Sequence, residues 1–87
     1  MANNKSNKNI EENDNKELIM EAIKARQDLE IANRNFEFSN SELTDYYSYQ
    51  IKALKVKYDY LLKKIKEKGI MLKVIDDMDF KYNRPAI

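Results

Sequence analysis

The fold is decided by residues 43–65, LTDYYSYQIKALKVKYDYLLKKI, in which apolar residues return every three or four positions. The main series is a seam of the kind that packs one helix against another: Leu43, Tyr47, Gln50 or Ile51, Leu54, Tyr58, Leu61 and Ile65. No Gly or Pro interrupts the stretch, and Gly69 follows where a left-handed C-cap is expected. The pattern predicts a helix over about residues 41–68.

A second periodic stretch lies upstream and predicts a helix over residues 14–38. Its apolar residues alternate steps of four and three, which is typical of a coiled-coil seam: Leu18, Ala22, Ala25, Leu29, Ala32 and Phe36. Asp14, with Glu17 three residues later, is a suitable N-cap. The break at residues 39–41 is Ser-Asn-Ser, in which Ser39 or Asn40 could cap the next helix. Two long helices joined by so short a break predict an all-α, antiparallel two-helix hairpin.

Charge supports the pairing of the two helices. Residues 14–38 carry four bases and six acids, whereas residues 46–68 carry seven lysines and two acids.

The flanking segments differ from this domain of residues 14–69. Residues 1–13 are polar and hold too little apolar surface to offset their ordering entropy, so we expect a disordered tail. Residues 70–87 are expected to be loosely attached, as a fold-back on the second helix, a strand or a short third helix.

The composition excludes most catalytic chemistry. The chain has no Cys and no His, which removes thiol nucleophiles, Ser–His pairs and nearly every tight transition-metal site. Gly69 is the only glycine, so a phosphate-cradling loop is excluded as well. We therefore expect no enzyme, no cofactor and no small-molecule substrate. Two groups of carboxylates are expected to be solvated charge rather than metal ligands: Asp76, Asp77 and Asp79, and Glu17, Glu21 and Asp28.

The second helix carries more apolar surface than a hairpin needs. A second stripe lies about 120° around the helix from the seam, and we call it the aromatic stripe: Tyr46, Tyr49, Ala53, Val56 and Tyr60. A helix with two apolar stripes usually contacts two neighbours. The stripe predicts an interaction module that self-associates, as a four-helix bundle, or docks another helical protein. The alternative is that residues 70–75 cover the stripe within one chain.

The remaining side of the second helix is cationic, and we call it the lysine face: Lys52, Lys55, Lys63 and Lys66. Lysines that neutralise phosphates give sequence-independent affinity for nucleic acid, and interleaved tyrosines could add base stacking. A solvated helix face explains the same residues, since the net charge of the chain is only +1. Weak nucleic-acid binding is therefore the alternative function. No apolar run is long enough for a membrane span and no secretory signal is present, which favours a cytoplasmic location.

The residues of the second helix resemble a known family. Residues 42–45 (Glu-Leu-Thr-Asp), Tyr49, Ala53 and residues 58–63 (Tyr-Asp-Tyr-Leu-Leu-Lys) are similar to the YaaL-like family of small uncharacterised Firmicutes proteins. The similarity covers about residues 16–69, and the turn departs from it because residues 39–43 lack the family's proline. The resemblance implies a small helical protein of unknown function without assigned catalytic residues. It also implies a gene neighbourhood of recombination repair and sporulation, which assigns no residue a role.

Overall fold

The computed structural model describes the backbone of residues 3–83 and the side chains of residues 12–80. Within that range the chain is all-α, with three helices and no strand: α1 (Asn3–Glu37), α2 (Thr44–Glu67) and α3 (Lys73–Asn83). α1 packs against α2 and also against α3, so it is the central element of the molecule. The all-α class predicted from the sequence is confirmed over this range.

α1 begins well before the predicted start. It extends from Asn3, so most of the segment that the sequence predicted to be a disordered tail is helical, and Asp14 lies inside the helix instead of capping it. The physical reason is that adding a residue to an existing helix gains one backbone hydrogen bond without a new nucleation step. No Gly or Pro stops this extension. Residues 1–2 of the predicted tail lie outside the described part of the chain.

The core lies where α1, α2 and α3 meet. Its buried residues are Ile19, Ala22, Ile23 and Ala25 of α1, Leu61 and Ile65 of α2, and Ile75 of α3. Ala22 and Ala25 belong to the predicted seam, and their short side chains let a neighbouring helix approach closely. Ile19 and Ile23 lie outside that seam. Phe36, the last residue of the seam, is 40% exposed and does not belong to the core.

The connection between α1 and α2 is a hydrogen-bonded turn over residues 38–43. The Ser39 hydroxyl donates to the Phe36 carbonyl at 2.9 Å, and the Leu43 N–H donates to the Asn40 side-chain oxygen at 3.1 Å. The Thr44 hydroxyl donates to the Asn40 carbonyl at 2.9 Å. Leu43 is the N-cap residue of α2 and makes no side-chain cap, so the expected caps Ser39 and Asn40 instead stabilise the turn before the helix.

α2 ends just before Gly69, as the sequence predicts. This residue has φ of +77°, in the left-handed region that L-residues with a Cβ avoid. Its N–H donates to the Lys66 carbonyl at 2.9 Å, and the Ile70 N–H donates to the Ile65 carbonyl at 3.2 Å. These two bonds form a Schellman motif, in which the apolar residue after the glycine packs back on the last turn. Ile70 accordingly packs against the core.

α3 is held on α1 by burial and by a polar cluster. Ile75 and Asp79 are each about 1% exposed. The Gln27 amide donates to Asp79 at 3.2 Å, and the Arg26 guanidinium lies 2.6 Å from Asp76 and 3.7 Å from Asp79. The described part of the C-terminal segment is thus a packed third helix, not a loosely attached tail, and Asp79 is not solvated charge. Residues 84–87 lie outside the described range.

Arg26 keeps its charge in this cluster. Burial alone lowers the pKa of the guanidinium, but the hydrogen bond to Asp76 and the electrostatic attraction of Tyr58 and Asp76 outweigh it, so the net shift of the pKa is upward. Since the pKa is raised, the stabilisation from Arg26 is fully present below its unfolded-state pKa and is lost only in strong alkali. The contact between α1 and α3 therefore includes a permanent cation.

Candidate interaction surface

The aromatic stripe lies on the surface of α2. Tyr46 is 57% exposed, Tyr49 is 68%, Val56 is 71% and Tyr60 is 57%. Ala53, at the centre of the stripe, is exposed as well. At 1.5 Å per residue these positions extend over about 21 Å of helix. The stripe is therefore a continuous, solvent-facing row of three aromatic and two aliphatic side chains.

The seam of α2 lies on a different side of the helix and packs against α1. Leu61 and Ile65 are buried in the core, and Tyr58 packs against it. Leu54 and Ile51 are half-buried. The two apolar arcs of α2 thus have different environments, since α1 takes up the seam whereas the stripe faces water.

The C-terminal segment does not cover the stripe. α3 packs against α1, and Ile75 is buried in the core between the helices. Leu72, just before α3, lines a groove of about 530 Å³ with Leu62 and Lys63 on another side of α2. The alternative that residues 70–75 cover the stripe is therefore not found.

The stripe is bordered by ordered ring contacts. Tyr46 and Tyr47 meet edge to face, with ring centroids 5.1 Å apart. The Lys52 ammonium lies 5.8 Å from the centroid of the Tyr49 ring, and the Lys64 ammonium lies 5.6 Å from that of the Tyr60 ring. Distances of this size are within the range of cation–π attraction, which at exposed sites contributes about 0.5–1 kcal/mol. Lys64 was not singled out from the sequence, although its position beside Tyr60 on a helical wheel would have indicated it.

The lysine face is also on the surface. Lys52, Lys55, Lys63 and Lys66 are all exposed. The carboxylate of Asp59, also exposed, is on the same side of α2 and reduces the positive charge there. The face therefore has the accessibility that phosphate binding needs, with a density of charge that is modest for such a role.

The carboxylates that the sequence singles out on α1 are at least partly exposed. Glu17 and Glu21 are exposed, and Asp28 pairs with Lys24 at 3.4 Å. Among the residues described, no group of three acidic side chains is close enough to hold a metal ion. No helix in the described range is long and apolar enough to cross a membrane. The polar cluster of Arg26, Gln27 and Asp79 was not predicted from the sequence. It holds α3 on α1.

Comparison with protein families gives a match to "Protein of unknown function (DUF2508)" over residues 1–72. That range is most of the chain. The chain belongs to the DUF2508 family. The DUF2508 match contains α2 and with it the whole stripe, and it ends at the residue before α3. Comparisons with curated proteins and with solved structures give no match.

Proposed function

We propose that this DUF2508 protein is a non-enzymatic interaction module that docks a helix, of a second copy or of another protein, along the aromatic stripe. The observation that carries this proposal is the exposure of the stripe: Tyr46, Tyr49, Val56 and Tyr60 are all more than half exposed. Large apolar patches of this kind on soluble domains mark interaction sites. Tyrosine in particular is enriched at interfaces, because it combines a large apolar ring with a polar tip.

The spacing of the stripe favours a helical partner. Its members recur at steps of three and four over about four turns, which is the spacing by which one helix packs along another. Burying a side chain such as Val56 stabilises a complex by about 1.5–3 kcal/mol. Since the seam of α2 is already occupied by α1, a docked helix would not compete with the fold.

In the self-associating form, we infer that α1 and α2 form an antiparallel hairpin and that two hairpins pair through their stripes as a four-helix bundle. The packing of α1 on α2 and the short turn between them support this geometry. We also propose that the chain is a YaaL-like protein, because residues 58–62 (Tyr-Asp-Tyr-Leu-Leu) and Asp45 resemble the YaaL-like family.

Sedimentation velocity tests the self-associating form, at protein concentrations from about 5 to about 500 µM. The self-associating form predicts a shift from monomer to dimer that Val56→Glu abolishes. Met71→Glu is the matched control, because Met71 and Val56 are both 71% exposed but only Val56 lies on the stripe. A wild-type protein that stays monomeric throughout removes this form and leaves docking to another protein.

The second candidate function is weak nucleic-acid binding by the lysine face. The exposure of Lys52, Lys55, Lys63 and Lys66 favours it. Phosphate contacts release counterions, so the affinity should fall steeply with salt. A gel shift with a single-stranded oligonucleotide tests it: binding at low salt that is lost when all four lysines are changed to Glu supports this function, and no shift at low salt removes it.

A further inference from the structure

Lysines border the aromatic stripe on both sides. At 100° per residue, Lys52 and Lys63 lie about 60–80° to one side of the centre of the stripe, and Lys57 and Lys64 lie about 40–60° to the other side. Lys52, Lys57 and Lys63 are exposed, and Lys64 is half-buried. The ring contacts of Lys52 with Tyr49 and of Lys64 with Tyr60 come from these opposite margins. The surface is an apolar row between two cationic rows.

The acidic residues of α2 offset only part of the positive charge of these margins. α2 holds six lysines and three acids. Asp45 and Glu67 lie near the two ends of α2, where Glu67 pairs with Lys64 at 3.5 Å. Asp59 lies on the lysine face, about 20° beyond Lys52 and about 40° beyond Lys63, so it offsets part of the charge on that side. Along the middle of the stripe, both margins are therefore positively charged.

We propose that the occupant of the stripe is an amphipathic helix of a partner protein whose apolar face is bordered by acidic residues. This inference rests on the proposed docking function and adds the chemistry of the partner. When two helices pack, the residues beside the apolar seam of one face those beside the seam of the other, and their charges decide which partner is accepted. Glutamates or aspartates on both margins would meet Lys52, Lys57, Lys63 and Lys64.

A second copy of this chain fits the stripe less well. If α2 docked on α2, the lysine margins of one copy would face the lysine margins of the other, and like charges placed opposite each other oppose association. α1 is acidic overall, but Ala22 and Ala25 on its apolar face are already buried in the core. The buried apolar face of α1 is therefore not available to the stripe of a second copy.

Nucleic acid is also acidic, but the stripe itself argues for a helix. Val56 and Ala53 in its centre are aliphatic, and they have no aromatic face on which a base can stack. No arginine lies in α2, although arginine is the residue best suited to bidentate phosphate contacts. A row of aromatic and aliphatic residues at helical spacing is a surface on which the apolar face of another helix packs.

The test uses the full chain and two synthetic helical peptides of about 21 residues, long enough to span the stripe. Both peptides carry the same Leu and Ala seam. One has Glu and the other has Lys at the positions beside the seam. Binding is followed by fluorescence anisotropy at about 50 mM and about 500 mM NaCl, because salt screens exposed charges.

The expected result is that the Glu-bordered peptide binds at least about tenfold more tightly than the Lys-bordered peptide at low salt, and that high salt reduces this ratio. Val56→Glu should abolish binding, whereas Met71→Glu should leave it unchanged. Changing both Lys52 and Lys64 to Glu should lower the affinity for the Glu-bordered peptide and raise it for the Lys-bordered one. This double variant keeps the stripe intact, so it separates charge selection from docking itself.

Three outcomes would overturn the inference. Equal, salt-independent binding of both peptides that Val56→Glu abolishes would contradict the acidic partner and leave the docking function intact. Binding of neither peptide, or binding that Val56→Glu does not weaken, would contradict both. The third outcome is that a single-stranded oligonucleotide binds more tightly than the Glu-bordered peptide and that Val56→Glu does not affect this binding. It would indicate that the lysines bind nucleic acid instead of an acidic helix.

Discussion

Arg26 connects α3 to the rest of the protein through two carboxylates in very different environments. Asp76 is the nearer, at 2.6 Å, but its side chain is 63% exposed. Asp79 is farther, at 3.7 Å, but its side chain is only 2% exposed. Exposed ion pairs contribute little because water screens them, whereas a buried charge that loses its partner is strongly destabilising. The longer contact is therefore the more important one.

We predict that Arg26→Ala lowers the free energy of unfolding by about 2–3 kcal/mol, since it leaves the buried Asp79 with less compensation. Asp76→Ala should lower it by less than about 1 kcal/mol. Urea unfolding followed by circular dichroism measures both. Because the pKa of Arg26 is raised, the effect of Arg26→Ala should be the same at neutral pH and at about pH 9. A larger loss for Asp76→Ala would contradict this ranking.

Gly69 is needed for its backbone conformation and not for space. A Cβ added at this position would meet nothing within 4 Å, so the cost of a side chain comes only from φ of +77°. We predict that Gly69→Ala destabilises the protein by about 1–2 kcal/mol, and that Gly69→Asn costs less because Asn tolerates this region better. Urea midpoints of the two variants measure the difference. Equal stability of wild type and Gly69→Ala would show that α2 ends in another way.

At the scale of the helices, α2 has one apolar side that holds the fold and another that does not. Val56 is 71% exposed and Leu61 is 3% exposed, although they are separated by little more than one turn. We predict that Val56→Ala changes the free energy of unfolding by no more than about 0.5 kcal/mol, whereas Leu61→Ala lowers it by about 2–4 kcal/mol. Unfolding at low micromolar concentration measures this without a contribution from association. A large loss for Val56→Ala would mean that the stripe is covered within the monomer.

α2 could be predicted from the sequence because its apolar periodicity extends over many turns and Gly69 marks its end. α3 could not be predicted in the same way, because residues 73–83 form only three turns and so short a segment shows no decisive periodicity. Asp79 was interpreted as solvated because its partner Gln27 is 52 residues away in the chain. The sequence predicts the start of α1 at Asp14, because a suitable cap is present there and the polar residues before it carry no periodic signal.

Over the whole molecule, α1 packs against both α2 and α3. Ile75 of α3 is buried in the core, whereas the stripe on α2 faces solvent. We predict that Ile75→Ala speeds amide hydrogen exchange in residues 73–83 and leaves residues 46–60 nearly unchanged, because opening of α3 is local. Mass spectrometry of peptic fragments measures both regions. Equal acceleration in residues 46–60 would show that α3 and the stripe form one cooperative unit.

The central claim is that the aromatic stripe of α2 is where a partner helix docks, and an NMR titration of the full chain tests it most directly. With the Glu-bordered peptide as ligand, backbone amide shifts should change most over residues 46–60 and at the flanking lysines, Lys63 and Lys64. The amides of α1 and α3 should change little. Shifts concentrated in α1 or α3, with residues 46–60 unmoved at saturation, would contradict the claim.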